Sequence, residues 1–471
     1  MRLWGWVAAT VLLCGLPGRV HAGGFYLTDR GTRPLGRGFA FVAGADDPGA
    51  LWYNPAGVAG LGAQLFVDAT YTNFRVDYTR VVMDQGAVVD QYPSVSMSPL
   101  PLPIPMLAAT HDFGLEKFTF GAAVIAPNAV VAKWPEDRDA GQRYSLVRMD
   151  GSLLSELALA AAWQPMPRLS LGLSVGAWVG AFHARTAVSA CDGTICTQPE
   201  NPDYDGIAEV KLFPFVSPTA TLGVRYSGDV VRVGASVTTP HAIEGDASLA
   251  VRLPSASVFD GASLRGDRAS VGVLFPWILR AGVEVSPVSR LRVEGAMVYE
   301  AWSSQRSIRI VPTDVTIQDV VGIGDYDMGP ITIPRNMKDV ISLRLGGEYA
   351  WKPESLVLRG GVNYETSAFD DAYLTALTLD SAKFVVGLGA SVRVGERIWL
   401  DVAYGHVFMA NPSVRNSQVP QSAAIRPSRD PSTPGTQGGL TYVGDGDYAM
   451  EADMFGVGLR WQLSAPRPVA Q

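Results

Sequence analysis

Residues 454–463 read Met-Phe-Gly-Val-Gly-Leu-Arg-Trp-Gln-Leu. Phe455, Val457, Leu459, Trp461 and Leu463 alternate with Met454, Gly456, Gly458, Arg460 and Gln462, one set apolar and the other polar or small. Successive side chains of a β-strand point to opposite faces, so the two sets occupy the two sides of a sheet. Residues 382–394 repeat the pattern, with Phe384, Val386, Leu388, Ala390 and Val392 opposite Lys383, Gly387, Gly389, Ser391 and Arg393. So do residues 341–351, where Ile341, Leu343, Leu345, Tyr349 and Trp351 oppose Ser342, Arg344, Gly346 and Glu348. A charge facing lipid near the bilayer midplane costs ~2–4 kcal/mol, so the Arg and Glu positions are expected to face a lumen. A soluble antiparallel sandwich would carry the same alternation with its apolar face turned inward.

Connection lengths separate the two. Working back from the last strand, strands are expected near 64–80, 104–113, 117–127, 151–164, 168–188, 211–226, 230–251, 268–286, 289–311, 338–352, 355–367, 381–394, 397–410 and 450–463. Links after even-numbered strands are tight, such as Pro165-Met166-Pro167, Ser227-Gly228-Asp229, Pro287-Val288, Pro353-Glu354 and Gly395-Glu396. Links after odd-numbered strands are long, among them 81–103, 128–150, 189–210, 312–337 and 411–449. Short periplasmic turns alternating with long extracellular loops are the rhythm of an outer-membrane barrel, which a sandwich has no reason to keep. Trp163, Tyr226, Trp351 and Trp461 share the apolar parity at the strand ends that lead to the short turns. Amphipathic rings favour that lipid–water boundary. The fold class expected is therefore all-β: a transmembrane antiparallel barrel of about 14 strands, the number of strands just enumerated.

The bulk composition agrees. The 471 residues are 47% hydrophobic and 18% charged, with mean hydropathy +0.13. No stretch after residue 22 offers the ~20 consecutive apolar residues of a membrane helix. Fifty glycines and thirty-two prolines argue against long helices. Residues 1–22 read as a signal peptide: Met1-Arg2 is a charged start, Leu3 to Leu13 is apolar, and Val20-His21-Ala22 puts small residues around a cleavage site after Ala22. Cys14 leaves with that segment, and Cys191 and Cys196 in Cys-Asp-Gly-Thr-Ile-Cys are expected to form a loop disulfide in an exported chain. Half a metal site is the rival, with His183 the nearest further ligand; no metal or cofactor is expected. Removing Arg2 and Arg19 makes the mature chain more acidic than the −7 of the full sequence, and no basic cluster suggests nucleic acid.

Residues 23–62 lack strand alternation and are crowded with glycine, yet they carry Phe25, Tyr26, Leu27, Phe39, Phe41, Leu51, Trp52 and Tyr53. A disordered tail would need low hydrophobicity, so this surface must be buried, and the lumen is the available place. The segment resembles the N-terminal hatch of the FadL/TodX family of outer-membrane long-chain fatty acid and hydrocarbon transporters. The resemblance rests on Asp46-Asp47 followed by Tyr53-Asn54-Pro55-Ala56-Gly57, on the opening Gly24-Phe25, and on Gly36 and Gly38. Ala126-Pro127-Asn128, Trp134-Pro135 and Arg143-Tyr144 resemble the family's passage from a kinked third strand into the loop beyond. The pair Arg33-Pro34 departs from the family, where small polar residues are commoner. Four segments follow: a signal peptide 1–22, a hatch 23–63, a barrel 64–463 and a short tail 464–471.

The resemblance implies a monomer, set in outer-membrane lipid and lipopolysaccharide, that passes hydrophobic small molecules through an apolar lumen and out through a gap in the wall. Pro127 has no N–H to give a ladder, so Ala126, Pro127 and Asn128 are the expected site of that gap; Pro214 and Pro276 interrupt other strands. Asn54, Pro55, Ala56 and Gly57 form a turn that is expected to gate the passage. For a carboxylate ligand, Arg280, Arg344, Arg359 and Arg393 have lumenal parity, although Glu284, Glu348 and Glu365 share that face and suit them as structural partners. An enzyme is not expected: His111, His183, His241 and His406 lie in no catalytic signature. A TonB-dependent receptor would need ~22 strands. A general porin for small polar solutes is the remaining rival, and it would have an open polar lumen.

Overall fold

The computed structural model describes residues 26–27, 29–99, 103–126, 128–129, 132–149, 152–191, 195–427 and 441–464. The signal segment 1–22, Pro127 and residues 465–471 of the tail lie outside the described residues.

Within them the chain forms one closed antiparallel barrel of fourteen strands. These are β1 Gln64–Asp84, β2 Ile104–His111, β3 Phe118–Ile125, β4 Leu153–Met166, β5 Leu169–Ser189, β6 Asp205–Ser227, β7 Val231–Thr238 with His241–Arg252, β8 Arg268–Phe275 with Ile278–Val288, β9 Leu291–Glu300 with Ser307–Thr313, β10 Val340–Lys352, β11 Leu356–Glu365, β12 Lys383–Val394, β13 Ile398–Met409 and β14 Gly446–Gln462. Consecutive strands are neighbours, and β14 closes on β1 from Gln64↔Gln462 to Arg80↔Gly446. The turns at 112–117, 167–168, 228–230, 289–290, 353–355 and 395–397 all lie at one end.

The outer face of the lower wall is apolar. Leu222, Leu345, Leu388 and Val457 are exposed there, and Trp163, Tyr226, Trp351 and Trp461 ring its periplasmic rim, outward-facing. Inward-facing Arg280, Glu284, Glu294, Arg344, Glu348 and Arg359 are buried. The parity inferred from energetics is the one observed.

Three strands expected to be continuous are interrupted: β7 at 239–240, β8 at 276–277 and β9 at 301–306. The breaks share a level, because Thr238↔Ile278 and Ile278↔Glu300 pair just below while His241↔Phe275 pairs just above. Across that level the polarity inverts. Below it Val233 and Val283 face out; above it Glu244, Asp246 and Arg268 face out, and Ile243, Val271 and Ile310 are buried inside. The upper wall is built as a water-soluble barrel with an apolar interior, and Trp277 stands exposed at the boundary. The sequence hid this because the apolar residues keep odd numbers through both breaks, from Val233 to Ile243 and from Val271 to Val283, while the face those positions occupy changes at Pro240 and Pro276.

Cys191 and Cys196 form a disulfide with Cα atoms 5.3 Å apart, at the start of the long loop after β5. Val457 lies near the middle of the apolar band 455–463 on β14. Val457→Arg is expected to lower barrel stability by ~2–4 kcal/mol, measured by denaturant unfolding in phospholipid vesicles.

Candidate functional site

Residues 29–63 lie against the inner faces of the wall, and nearly all of them are buried. Two short helices, Thr32–Leu35 and Ala50–Tyr53, and a 3₁₀ turn, Pro55–Val58, give the segment its shape. It seats where the wall has no side chains. Gly346, Gly361, Gly387 and Gly405 are direct cross-strand partners on β10 to β13. A Cβ at Gly387 would come 1.9 Å from Leu35 O, and one at Gly346 would come 1.9 Å from Arg37 O. Gly172 and Gly223, paired on β5 and β6, receive Pro55, Ala56 and Asn54 in the same way. The signal was in the sequence, since these glycines hold lumenal parity, but nothing local says that they line up across strands.

Charge fixes what close approach permits. Arg33, the departure from the family pattern, reaches Asp46 at 2.7 Å, Asp47 at 3.0 Å and Glu348 on β10 at 3.0 Å. Arg37 reaches Glu284 at 2.8 Å and Glu294 at 3.0 Å. Glu294 also accepts the backbone N–H groups of Val42, Ala43 and Gly44 at 2.7–3.0 Å. Arg292 bridges Asp46, Glu284 and Glu348. Removing one member of such a buried set costs ~3–5 kcal/mol, because it leaves its partner charged and unpaired. Neither Arg292 nor Glu294 was singled out from sequence; inward parity on β9 was their only mark.

Asn54 is fully buried. Its side chain accepts the Ala56 N–H at 3.2 Å and donates to Val42 O at 3.2 Å and Val224 O at 3.1 Å. Pro55 opens the 3₁₀ turn, and Gly57 passes so near Ala45 O that a Cβ would come within 2.3 Å of it. Asn54 thus joins the turn to two other parts of the molecule.

The four lumenal arginines are spread through the lower wall. Arg344 donates to Asp29 at 2.6 Å and to Phe39 O at 3.3 Å. Arg359 meets Glu348 at 3.0 Å and Asp401 at 3.6 Å. Arg280 donates to Thr238 Oγ1 at 3.1 Å. Arg393, at the periplasmic rim, donates to Glu396 O. Glu284 and Glu348 serve the network above, and Glu365 pairs with Lys383 at 2.9 Å.

Above the buried segment lies an apolar cavity of about 80 Å³. Leu146, Met149 and Leu154 line it from the loop and strand after β3, with Phe182 on β5, Leu212 and Phe215 on β6, Ile243 on β7, Phe275 on β8 and Ile310 on β9. Among the described residues that line it none is charged, and none of the four arginines is one of them. Phe275 of its lining belongs to an aromatic cluster that reaches the buried segment. Trp178 packs against His241 at 4.6 Å and Phe275 at 5.2 Å, and Trp52 of the buried segment lies 6.4 Å from Trp178. Beside it, β3 leaves the wall. Its last ladder pair is Ile125↔Glu156, and Ala126 N–H still reaches Pro105 O at 3.0 Å. Asn128 and Ala129 then pair with Leu27 and Tyr26 instead of with a wall strand.

The described residues thus form a barrel filled below by the segment ahead of β1 and apolar above, with a third strand whose ladder ends at Ile125. The sequence model of the family described as outer membrane protein transport protein (OMPP1/FadL/TodX) matches residues 16–430. The chain belongs to this family. It is a bacterial outer-membrane protein of a family of transporters. Among solved structures, a Pseudomonas aeruginosa FadL homologue superposes with a TM-score of 0.72 at 15% identity, covering 94% of this chain and 100% of that one. The Ralstonia pickettii toluene transporter TbuX gives 0.59 at 15% identity, with 93% and 99% covered. The Pseudomonas putida toluene transporter TodX gives 0.60 at 14% identity, with 91% and 98% covered. No curated protein sequence matches the chain.

Two outcomes follow for the buried segment. Gly387→Leu, which drives a side chain into Leu35 O, is expected to expose residues 29–62 to protease in the folded barrel, whereas Gly295→Leu, with nothing within 4 Å, leaves them protected. Glu294→Ala is expected to lower stability by ~3–5 kcal/mol in vesicle unfolding.

Proposed function

We propose that this barrel passes hydrophobic small molecules, long-chain fatty acids or aromatic hydrocarbons, across the outer membrane by passive diffusion. Residues 23–63 act as the hatch, the turn Asn54-Pro55-Ala56-Gly57 is its gating corner, and the solute leaves sideways near β3 at Ala126, Pro127 and Asn128. The observation that carries this reading is an apolar cavity with no charged residue in its described lining, in a barrel whose lower lumen holds residues 29–63. Hydrophobic solutes gain by leaving water at about 25 cal/mol per Å² buried, and a pocket without charge offers a polar solute nothing in return for its lost hydration.

Other features support the rest. The departure of β3 from the ladder after Ile125 supports an exit there. Two relatives of like fold are toluene transporters by name, and a third is a FadL homologue. The absence of charge from the cavity lining favours recognition of an alkyl chain or a neutral ring. Arg344 and Arg359 serve as structural charges for the hatch and its seat, consistent with their partners Asp29 and Glu348. A general porin is disfavoured because the segment that would have to be absent fills the lower lumen. The barrel works as a monomer.

Detergent-purified protein is expected to bind toluene or a labelled long-chain fatty acid saturably, and proteoliposomes are expected to resist swelling in arabinose. Ile310→Asp places a carboxylate in the cavity wall. It is expected to weaken apolar binding about tenfold or more, tenfold being ~1.4 kcal/mol, while the barrel keeps its heat-modifiable mobility on gels. Unchanged binding by that variant, or free arabinose swelling by the intact chain, would overturn the reading.

A further inference from the structure

A stretch of the wall lacks strand pairing three strands further round from β3. β6 and β7 pair from Thr221↔Thr238 to Ser227↔Arg232, and again above from Ile207↔Arg252 to Lys211↔Ser248. Between these stretches residues 212–220 and 239–247 share no ladder pair. Thr239 N–H to Ala220 O at 2.9 Å and Ala220 N–H to Thr239 Oγ1 at 3.0 Å close the lower corner. The two unpaired runs are equally long and the register is the same on both sides, so the strands part and rejoin without slipping. Each rim is held on its far side. Phe215 to Ala220 pair with β5, and His241 to Ala247 pair with the upper half of β8. The gap in pairing is therefore an eyelet, bounded by ladder pairs above, below and on either side.

Its sequence is suited to staying open. Pro214 and Pro218 lie on the β6 rim and Pro240 on the β7 rim. Ala220 turns both backbone groups toward β7, and in an antiparallel ladder that orientation recurs every second residue. Pro218 is the next such position, and it has no N–H to offer. Unpaired backbone at membrane depth is tolerated where it is buried in protein or lines a cavity. Here it does line one: Leu212 and Phe215 from one rim and Ile243 from the other are walls of the apolar cavity. On the outside, Phe213 and Val216 are 76% and 68% exposed. The eyelet spans the level at which outward residues change from Leu222 and Val233 below to Lys211, Glu244 and Asp246 above. That level is the outer-leaflet boundary.

We infer that the eyelet between β6 and β7 is a lateral mouth through which neutral apolar solutes dissolved in the outer leaflet exchange directly with the cavity. This rests on the cavity binding such solutes, as proposed above. It adds a membrane-side route to entry from water, and it is distinct from the exit proposed at β3.

Cysteine substitution tests it, because Cys191 and Cys196 are joined and an added thiol can be labelled selectively. Ala242→Cys lies on the outward side of the β7 rim, and Ala281→Cys lies on the outer face of β8 where the ladder is continuous on both sides. Each is folded into vesicles and then modified with a bulky maleimide, so folding precedes the block. The probe is 1-N-phenylnaphthylamine preloaded into the vesicle lipid, with its association followed by stopped-flow fluorescence and its equilibrium binding measured in detergent. Labelled Ala242→Cys is expected to slow association from lipid tenfold or more with equilibrium binding unchanged, and labelled Ala281→Cys to slow neither. Phe213→Cys, on the opposite rim, is expected to repeat the effect. Equal association rates for blocked rim and control positions, with binding intact, would overturn the eyelet as a mouth. Failure of the unmodified protein to bind the probe at all would overturn the cavity's role itself, a result the equilibrium measurement reads separately.

Discussion

A strand in hydrocarbon has no water to satisfy its N–H and C=O groups, so each edge must find another edge until the sheet closes on itself. In this protein β1 and β14, far apart in sequence, meet along the full run from Gln64↔Gln462 to Arg80↔Gly446. Closure with fourteen strands has a geometric consequence. Barrel diameter grows with strand number, and ~8 strands already leave an interior that side chains just fill. A wider barrel must hold water or hold protein. The residues ahead of β1 supply the protein, which is why a segment of apolar and glycine residues precedes the first strand.

Seating that segment required the wall to give up side chains and to place charges. The row Gly346, Gly361, Gly387 and Gly405 lets backbone meet backbone, and Glu294 satisfies three consecutive N–H groups that no sheet could reach. The ionic set around Arg33, Arg37, Asp46, Glu284, Arg292 and Glu348 is largely buried, so its members are worth most as specification. A single removed partner is costly, and the segment therefore has one way to sit. Charge that looks available for an anionic ligand in the linear sequence is largely used in holding the interior together.

Above the membrane the same strands change role. With water outside in place of lipid, the energetically sound arrangement is apolar in and polar out, and the wall switches to it at the breaks in β7, β8 and β9. The inversion gives the upper lumen its apolar lining without any change of topology. Trp178, His241 and Phe275 form an aromatic cluster that joins the cavity, through Phe275, to Trp52 of the buried segment. The same break leaves β6 and β7 unpaired beside the cavity.

Period-two alternation and the rhythm of short and long links determined the barrel, its strand number and which face meets lipid, because a charge in hydrocarbon is too costly to be placed otherwise. The apolar character of residues 23–62 determined that they would be buried. Asp46-Asp47 and Asn54-Pro55-Ala56-Gly57 marked the family. The tertiary structure alone decided that Arg33 completes a charge set with Asp46, Asp47 and Glu348, and that four glycines on four strands form one seat. It also decided that the strands expected at 230–251, 268–286 and 289–311 are each broken at one shared level, and that β6 and β7 part beside the cavity. Each of these depends on which residues of distant segments stand opposite one another. Register is set by the closure of the whole sheet, and no single strand carries it.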